Sequence, residues 1–234
     1  MPRSTGCFTV ATLLLLTGTL AAQQPEPIQP GPPVRDADHL IARRVASWKS
    51  LRERNLILQR RDYSCGAAAL ATLVKYHLGD PATEDQFLKT LDAILTDKEI
   101  VDRIKNGLAL SDLRKAAVRE GYQSVAAKLT LDKLCKAKTP LIVGITDDSY
   151  DHFVVYRGAD SRYVYLADPI RGNLRLPIEK FAKQWQKNLV LAVAKPGAKV
   201  KTHSLLSISS KDTDVGRTNR QLIVTTPSRI ATDR

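Results

Sequence analysis

The chain has 234 residues, 43% hydrophobic and 26% charged, which suits one globular domain with tails and excludes a mini-protein, a collagen-like or coiled-coil chain and wholesale disorder. Only one apolar stretch, near the N-terminus, approaches a membrane span, so a polytopic membrane protein is excluded too. The net charge of +12 raises a nucleic-acid reading, but aromatics are only 6% and Lys and Arg are scattered. No nucleic-acid partner is predicted, and the basic residues read as a solvated surface that can attract an anionic envelope or an acidic substrate.

Residues 1–22 read as a secretory signal peptide: Arg3 supplies positive charge, Phe8 to Leu20 is a short apolar run, and Ala21-Ala22 precede polar Gln23-Gln24. The alternative, an uncleaved anchor, is disfavoured by the shortness of the run and the Pro-rich polar sequence after it. Cys7 precedes the run, whereas a lipid-anchoring cysteine would follow it. A periplasmic or secreted mature chain with no stable membrane span is predicted. It retains Cys65 and Cys135, which either pair or leave a working thiol.

Residues 23–35 form a Pro-rich linker, with five prolines between Gln23 and Pro33. The folded domain is predicted over 36–195. Asp36 to Arg54 places Leu40, Ile41, Val45, Ala46, Trp48 and Leu51 at roughly helical spacing, with Asp36 or Asp38 as cap. Asn55 to Gln59 suits a short strand or extended segment, and Arg60 to Ser64 is a polar turn. From Cys65 an Ala-rich apolar run reaches Gly79 and predicts a buried helix. Thr83 opens another helix with a Thr-x-x-Gln capping-box pattern; Thr96 to Lys105 and Leu110 to Glu120 continue the helical period across Asn106-Gly107.

The period then changes. Ser124–Leu129, Thr139–Ile145, His152–Arg157, Tyr163–Asp168, Gly172–Leu176 and Leu189–Ala194 are short runs rich in Val, Ile, Leu and Tyr. Helices first and strands after predict an α+β domain with a largely antiparallel sheet packed on the early helices. Residues 196–234 read as a mostly disordered basic tail.

Cys65 stands where a polar turn enters a buried helix, so unpaired backbone N–H groups and the positive helix end should lower its thiol pKa. Gly66 removes bulk beside the sulfur, which would admit a substrate backbone. The plain alternative is a buried helix cysteine. Of the histidines, His39 lies on the charged first helix, His77 about three turns along the Cys65 helix, on the order of 18 Å away, and His203 in the tail. His152 opens a strand, and Asp168 ends the next one, so a hairpin would bring them to one end of the sheet; a strand-end His and a turn Asp before Pro169 is the plain alternative. In that arrangement Asp168 would orient the imidazole as the base for Cys65. Gln59, six residues before Cys65, can donate to an oxyanion alongside the Cys65 N–H. Cys135, on the apolar face of a short helix predicted in LDKLCKAK with Leu131 and Leu134, reads as a packing residue. No metal or cofactor is required by this chemistry.

The run QRRDYSCGAAALATLVKYHLG, with HFVVYRG and YVYLADP, resembles the double-glycine leader peptidases, the bacteriocin-processing cysteine peptidases of papain-like fold. The resemblance spans roughly Asn55 to Ala194. It implies Cys65 as nucleophile, His152 as base, Asp168 as orienting acid and Gln59 as oxyanion donor. The wording SCGAAALATL is similar to the stand-alone, exported Gram-negative members, some of which accompany functional-amyloid systems. The implied partner is a secreted or periplasmic peptide or protein, including an amyloid or export component, cleaved after Gly-Gly. Two other readings stand beside it: a catalytically silent leader-binding or assembly module, and an NlpC-type cell-wall peptidase.

Overall fold

The computed structural model describes residues 34–35, 40–41, 47–147, 150–199 and 201–213. The predicted signal peptide and nearly all of the linker lie outside these residues. The chain divides into two units, Met1–Val45 and Ala46–Arg234. In the first, Val34–Arg35 (β1) and Leu40–Ile41 (β2) pair antiparallel. Here the predicted helix from Asp36 to Arg54 is corrected. Spacing alone does not separate the two structures, because Val34 and Ile41, opposite one another in the register, are β-branched and favour extended backbone. The candidate caps Asp36 and Asp38 lie outside the described residues.

In the second unit only Trp48–Arg52 (α1) of that prediction is helical, with the Ser47 hydroxyl accepting from the Ser50 N–H. Asn55 closes a turn at φ +53° and Leu56 to Gln59 joins no sheet; the Ile57 N–H donates to Thr72 Oγ1 at 2.9 Å and the Gln59 N–H to the Pro169 carbonyl at 3.0 Å. The predicted buried helix forms as Cys65–Leu73 (α2), with all nine residues buried. It runs on through a π-helical turn, Val74–Leu78, and Gly79 closes it at φ +85°, a left-handed conformation that suits glycine.

Glu84–Ile94 (α3) starts at Thr83, whose side chain accepts from the Gln86 N–H. Gln86 turns its own amide to Glu120 at 2.6 Å instead, so only half of the predicted capping box forms. The full box appears at Asp97–Asn106 (α4), where Thr96 and Glu99 cap each other reciprocally. Leu110–Arg119 (α5) ends before Gly121, at φ +89°.

Six strands make the sheet: Gln123–Lys128 (β3), Leu141–Asp147 (β4), Tyr150–Ala159 (β5), Tyr163–Asp168 (β6), Gly172–Pro177 (β7) and Trp185–Ala194 (β8). Their order is β3-β8-β4-β5-β6-β7 and every pairing is antiparallel, as predicted. Two short helices connect them: Leu131–Cys135 (α6), and Ile178–Gln184 (α7), which the strand-rich composition concealed.

The middle of the sheet is buried on both faces, alternate side chains of its strands pointing to opposite sides. Ile142, Val155, Ala167 and Leu191 join the core with α2, α3 and α5. Val143, Ile145, Val154, Tyr156 and Leu166 pack with Leu134 of α6 and Phe181 of α7. Among the described residues, no helix is long and apolar enough to cross a membrane.

The tail predicted to be disordered from residue 196 is corrected as far as Thr213. Leu206 is 1% exposed in the helix-side core. Arg157 of β5 donates to the carbonyls of Leu206 (2.9 Å) and Ser207 (3.4 Å) and pairs at 3.1 Å with Asp212, which lies in one last turn, Ser210–Thr213 (α8). A polar composition predicts disorder because it averages over the segment; one buried leucine and one satisfied arginine hold this segment locally. Residues from 214 onward lie outside the described residues. Leu206→Ala is expected to cost about 2–4 kcal/mol, read as a lower urea midpoint at unchanged m-value; a midpoint within error of wild type would show that the segment adds nothing to stability.

Candidate active site

Cys65 is the first residue of α2 and is 3% exposed. Its Sγ accepts the Phe153 N–H at 3.5 Å, so the helix end abuts β5 immediately after His152. Burial pushes the thiol up, against N–H groups of Phe153, Gly66 and Cys65 itself that pull it down, and the charge of Asp168 adds to the rise. The net direction reverses the predicted lowering. A helix terminus is worth about 0.3–1 kcal/mol to a charge at an exposed site, and near-complete removal of water outweighs it. Cys135 is half-buried, and both cysteines are free thiols.

Gly66 has a different role from the one predicted. A Cβ there would lie 2.8 Å from Leu113 Cδ2 and 3.2 Å from Phe153 Cδ2. The missing side chain therefore admits α5 and β5 against the helix; the space is filled by protein.

His152 sits inside a strand, opposite Ile145, since β5 begins at Tyr150 and not at His152 as predicted. The β5–β6 register places Val155 opposite Ala167, which brings His152 beside Asp168 at one end of the hairpin. His152 Nε2 lies 3.0 Å from Asp168 Oδ2, and both side chains are buried. Burial raises the Asp168 carboxyl, but the hydrogen bond and charge of His152, the Ile170 N–H and the Arg171 side chain together hold it at about 2. An ionised carboxylate only accepts, so Nε2 carries the proton and Nδ1 keeps its lone pair when the ring is neutral. That Nδ1 is buried and has no hydrogen-bond partner.

Gln59 is positioned by its backbone contact with Pro169, the residue after Asp168. Its Nε2 donates to the Arg61 carbonyl at 3.1 Å and its Oε1 is buried without a partner. The structure thus brings Cys65, His152 and Asp168 together and leaves the Gln59 amide engaged with its own turn. His77 lies in the π-helical turn at the other end of the helix, and His203 is exposed; His39 is outside the described residues.

Sequence reasoning missed three supports. Arg171 donates from Nε to Asp168 Oδ2 at 2.8 Å and from Nη1 to Asp147. The Tyr150 ring stacks on His152 with centroids 5.6 Å apart, and its hydroxyl donates to the Asp62 carbonyl at 2.8 Å. Buried Glu84 accepts from the Arg60 N–H (3.0 Å) and from the Ser64 hydroxyl, fixing the turn that leads into Cys65. The signals were present only as ordinary polar residues in turns and at a helix start. A cavity of about 510 Å³ lined by Arg52, Arg54, Arg157 and Arg175 lies elsewhere and includes none of the predicted residues.

The Peptidase C39 family model matches residues 53–197. The chain is 32% identical over 198 residues to the "Probable functional amyloid protease FapD" of Pseudomonas fluorescens, covering 84% of this chain and 81% of that one. It is 33% identical over 190 residues to the protein of the same name from Pseudomonas aeruginosa, covering 80% of each. The crystal structure of the peptidase domain of Streptococcus ComA, a bi-functional ABC transporter involved in quorum sensing, matches with a TM-score of 0.50 at 23% identity, over 60% of this chain and 97% of that chain. Together these give the sheet and helices described above a papain-like fold.

Asp168 contributes stability that is full above its unfolded pKa of about 3.9 and is lost as pH falls through its folded value of about 2. Urea unfolding at pH 5 and pH 2 is expected to show wild type losing about 2 kcal/mol more than Asp168→Asn across this window. Equal losses would mean that Asp168 is not held ionised by its neighbours.

Proposed function

Because the chain belongs to the Peptidase C39 family, a cysteine peptidase family, we propose that Cys65 is its nucleophile, His152 its base and acid, Asp168 the residue that orients His152, and Gln59 an oxyanion donor. The observation that carries this reading is the unpartnered Nδ1 of His152, held by Asp168 through Nε2 while the following amide touches Cys65 Sγ.

The Cys65 S–H proton passes to Nδ1 and the thiolate adds to the scissile carbonyl carbon. The carbonyl electron pair moves to oxygen, where the Cys65 N–H and the Gln59 amide hold it. The amide NH2 has two N–H donors, and the Arg61 carbonyl uses one. As the oxyanion collapses, the C–N bond breaks and Nδ1–H protonates the departing amine. Water then adds to the thioester with Nδ1 taking its proton, the C–S bond breaks, and the acid product leaves with Cys65 restored. Asp168 stabilises the imidazolium formed in both halves.

The substrate in this reading is a secreted or periplasmic peptide or protein cut after Gly-Gly, and the enzyme acts after export, in support of functional-amyloid or peptide export. Similarity to the FapD proteins over four fifths of the chain supports the substrate class; the apolar N-terminal run supports the location. With purified mature protein and a peptide containing Gly-Gly, Cys65→Ala is expected to abolish cleavage, and Gln59→Ala to lower kcat about 10²–10³-fold with KM little changed. Cleavage surviving Cys65→Ala would overturn the nucleophile. Hydrolysis of other peptides while Gly-Gly peptides stay intact would overturn the substrate.

A further inference from the structure

Asp168 Oδ2 is shared. His152 Nε2 approaches it at 3.0 Å and Arg171 Nε at 2.8 Å, while Oδ1 accepts the N–H groups of Ile170 (2.8 Å) and Arg171 (3.2 Å). Beyond it the Arg171 guanidinium reaches Asp147 of β4, whose Oδ1 accepts from Gln184 of α7 at 2.6 Å. Arg52 of α1 donates from Nε to the Arg171 carbonyl at 2.9 Å. Arg171 Nη2 is buried without a partner, an uncompensated donor that stability alone does not call for.

We infer that Arg171 is a positioning residue for the hydrolysis: by sharing the oxygen that holds His152, it opposes protonation of the imidazole and leaves Nδ1 available as a base. This rests on the catalytic reading above. A carboxylate facing only an imidazole favours the imidazolium, whereas a guanidinium on the same oxygen opposes a second positive charge. Asp147, on the far side, tempers that opposition. The titratable and charged groups around this point are Asp168, Cys65 from α2 and Tyr150 for His152, then Arg171 and Asp147; Asp62, before α2, faces Tyr150.

The experiment is the rate of Cys65 alkylation and of peptide cleavage across pH, for wild type, His152→Ala, Arg171→Gln, Arg171→Lys and Asp147→Asn, with folding checked by thermal melts. Arg171→Gln should move the acidic limb, where the imidazolium loses its proton and Nδ1 becomes available as a base, up by about one pH unit, and Asp147→Asn should move it down by about half a unit. Arg171→Lys, which keeps the charge, should leave that limb near wild type while slowing cleavage. A purely structural role would lower rates without moving limbs in opposite directions. Unmoved limbs in folded Arg171→Gln and Asp147→Asn would overturn the inference and leave the catalytic reading standing. If Arg171→Gln does not fold, Asp147→Asn decides alone: a fixed or raised limb overturns the inference. A wild-type profile with no His152-dependent limb would overturn the catalytic reading and this inference with it.

Discussion

The complete burial of α2 is the constraint on which the site depends. A helix enclosed on every side cannot slide or rotate without opening voids or forcing overlaps, so its first residue is fixed in space. Alanines at 67, 68, 69 and 71 let neighbours close in, and Gly66 lets Leu113 and Phe153 meet the backbone. Phe153 then serves two elements at once: its ring packs on the helix-side core and its amide reaches the Cys65 sulfur. The same packing that excludes water from the core therefore sets where the thiol stands relative to His152.

Charge is arranged around that fixed point in opposite senses. Cys65 is pushed towards its neutral form by burial, whereas Asp168, equally enclosed, is held ionised because four donors replace the lost water. Desolvation acts on both; only the hydrogen-bond supply differs. A thiol favoured in its neutral form thus stands near an imidazole whose Nε2 is held by an anionic carboxylate. Tyr150 and Glu84 tie the turn before Cys65 to β5 and α3, so Cys65 and His152 are held by separate but interlocking contacts.

The Peptidase C39 match begins at residue 53 and ends at residue 197. It takes in α2, the sheet and all four predicted site residues. Outside it lie α1, whose Arg52 grips the Arg171 carbonyl, and the segment from 201 to 213 that clasps β5 through Arg157 and Leu206. These flanking pieces brace the β5–β6–β7 end of the sheet from outside the matched region. Alignment with the FapD proteins extends over 80–84% of the chain.

By itself the sequence determined the helices before strands, the buried run from Cys65 to Gly79, the β5–β6 hairpin and hence the pairing of His152 with Asp168. Each of these is written in local periodicity or in a turn between adjacent strands, where contact follows from short separation along the chain. Tertiary structure alone decided the rest. The helical spacing at 40–41 became a strand pair, since periodicity reports which residues are apolar and not which surface they meet. The segment after residue 200 became ordered through one leucine and one arginine that composition averages away. The thiol moved up because burial, invisible in a motif, outweighs a helix end. Arg171 became the partner of both Asp168 and Asp147 because the turn after β6 folds back beside β4, and no spacing along the chain encodes that encounter.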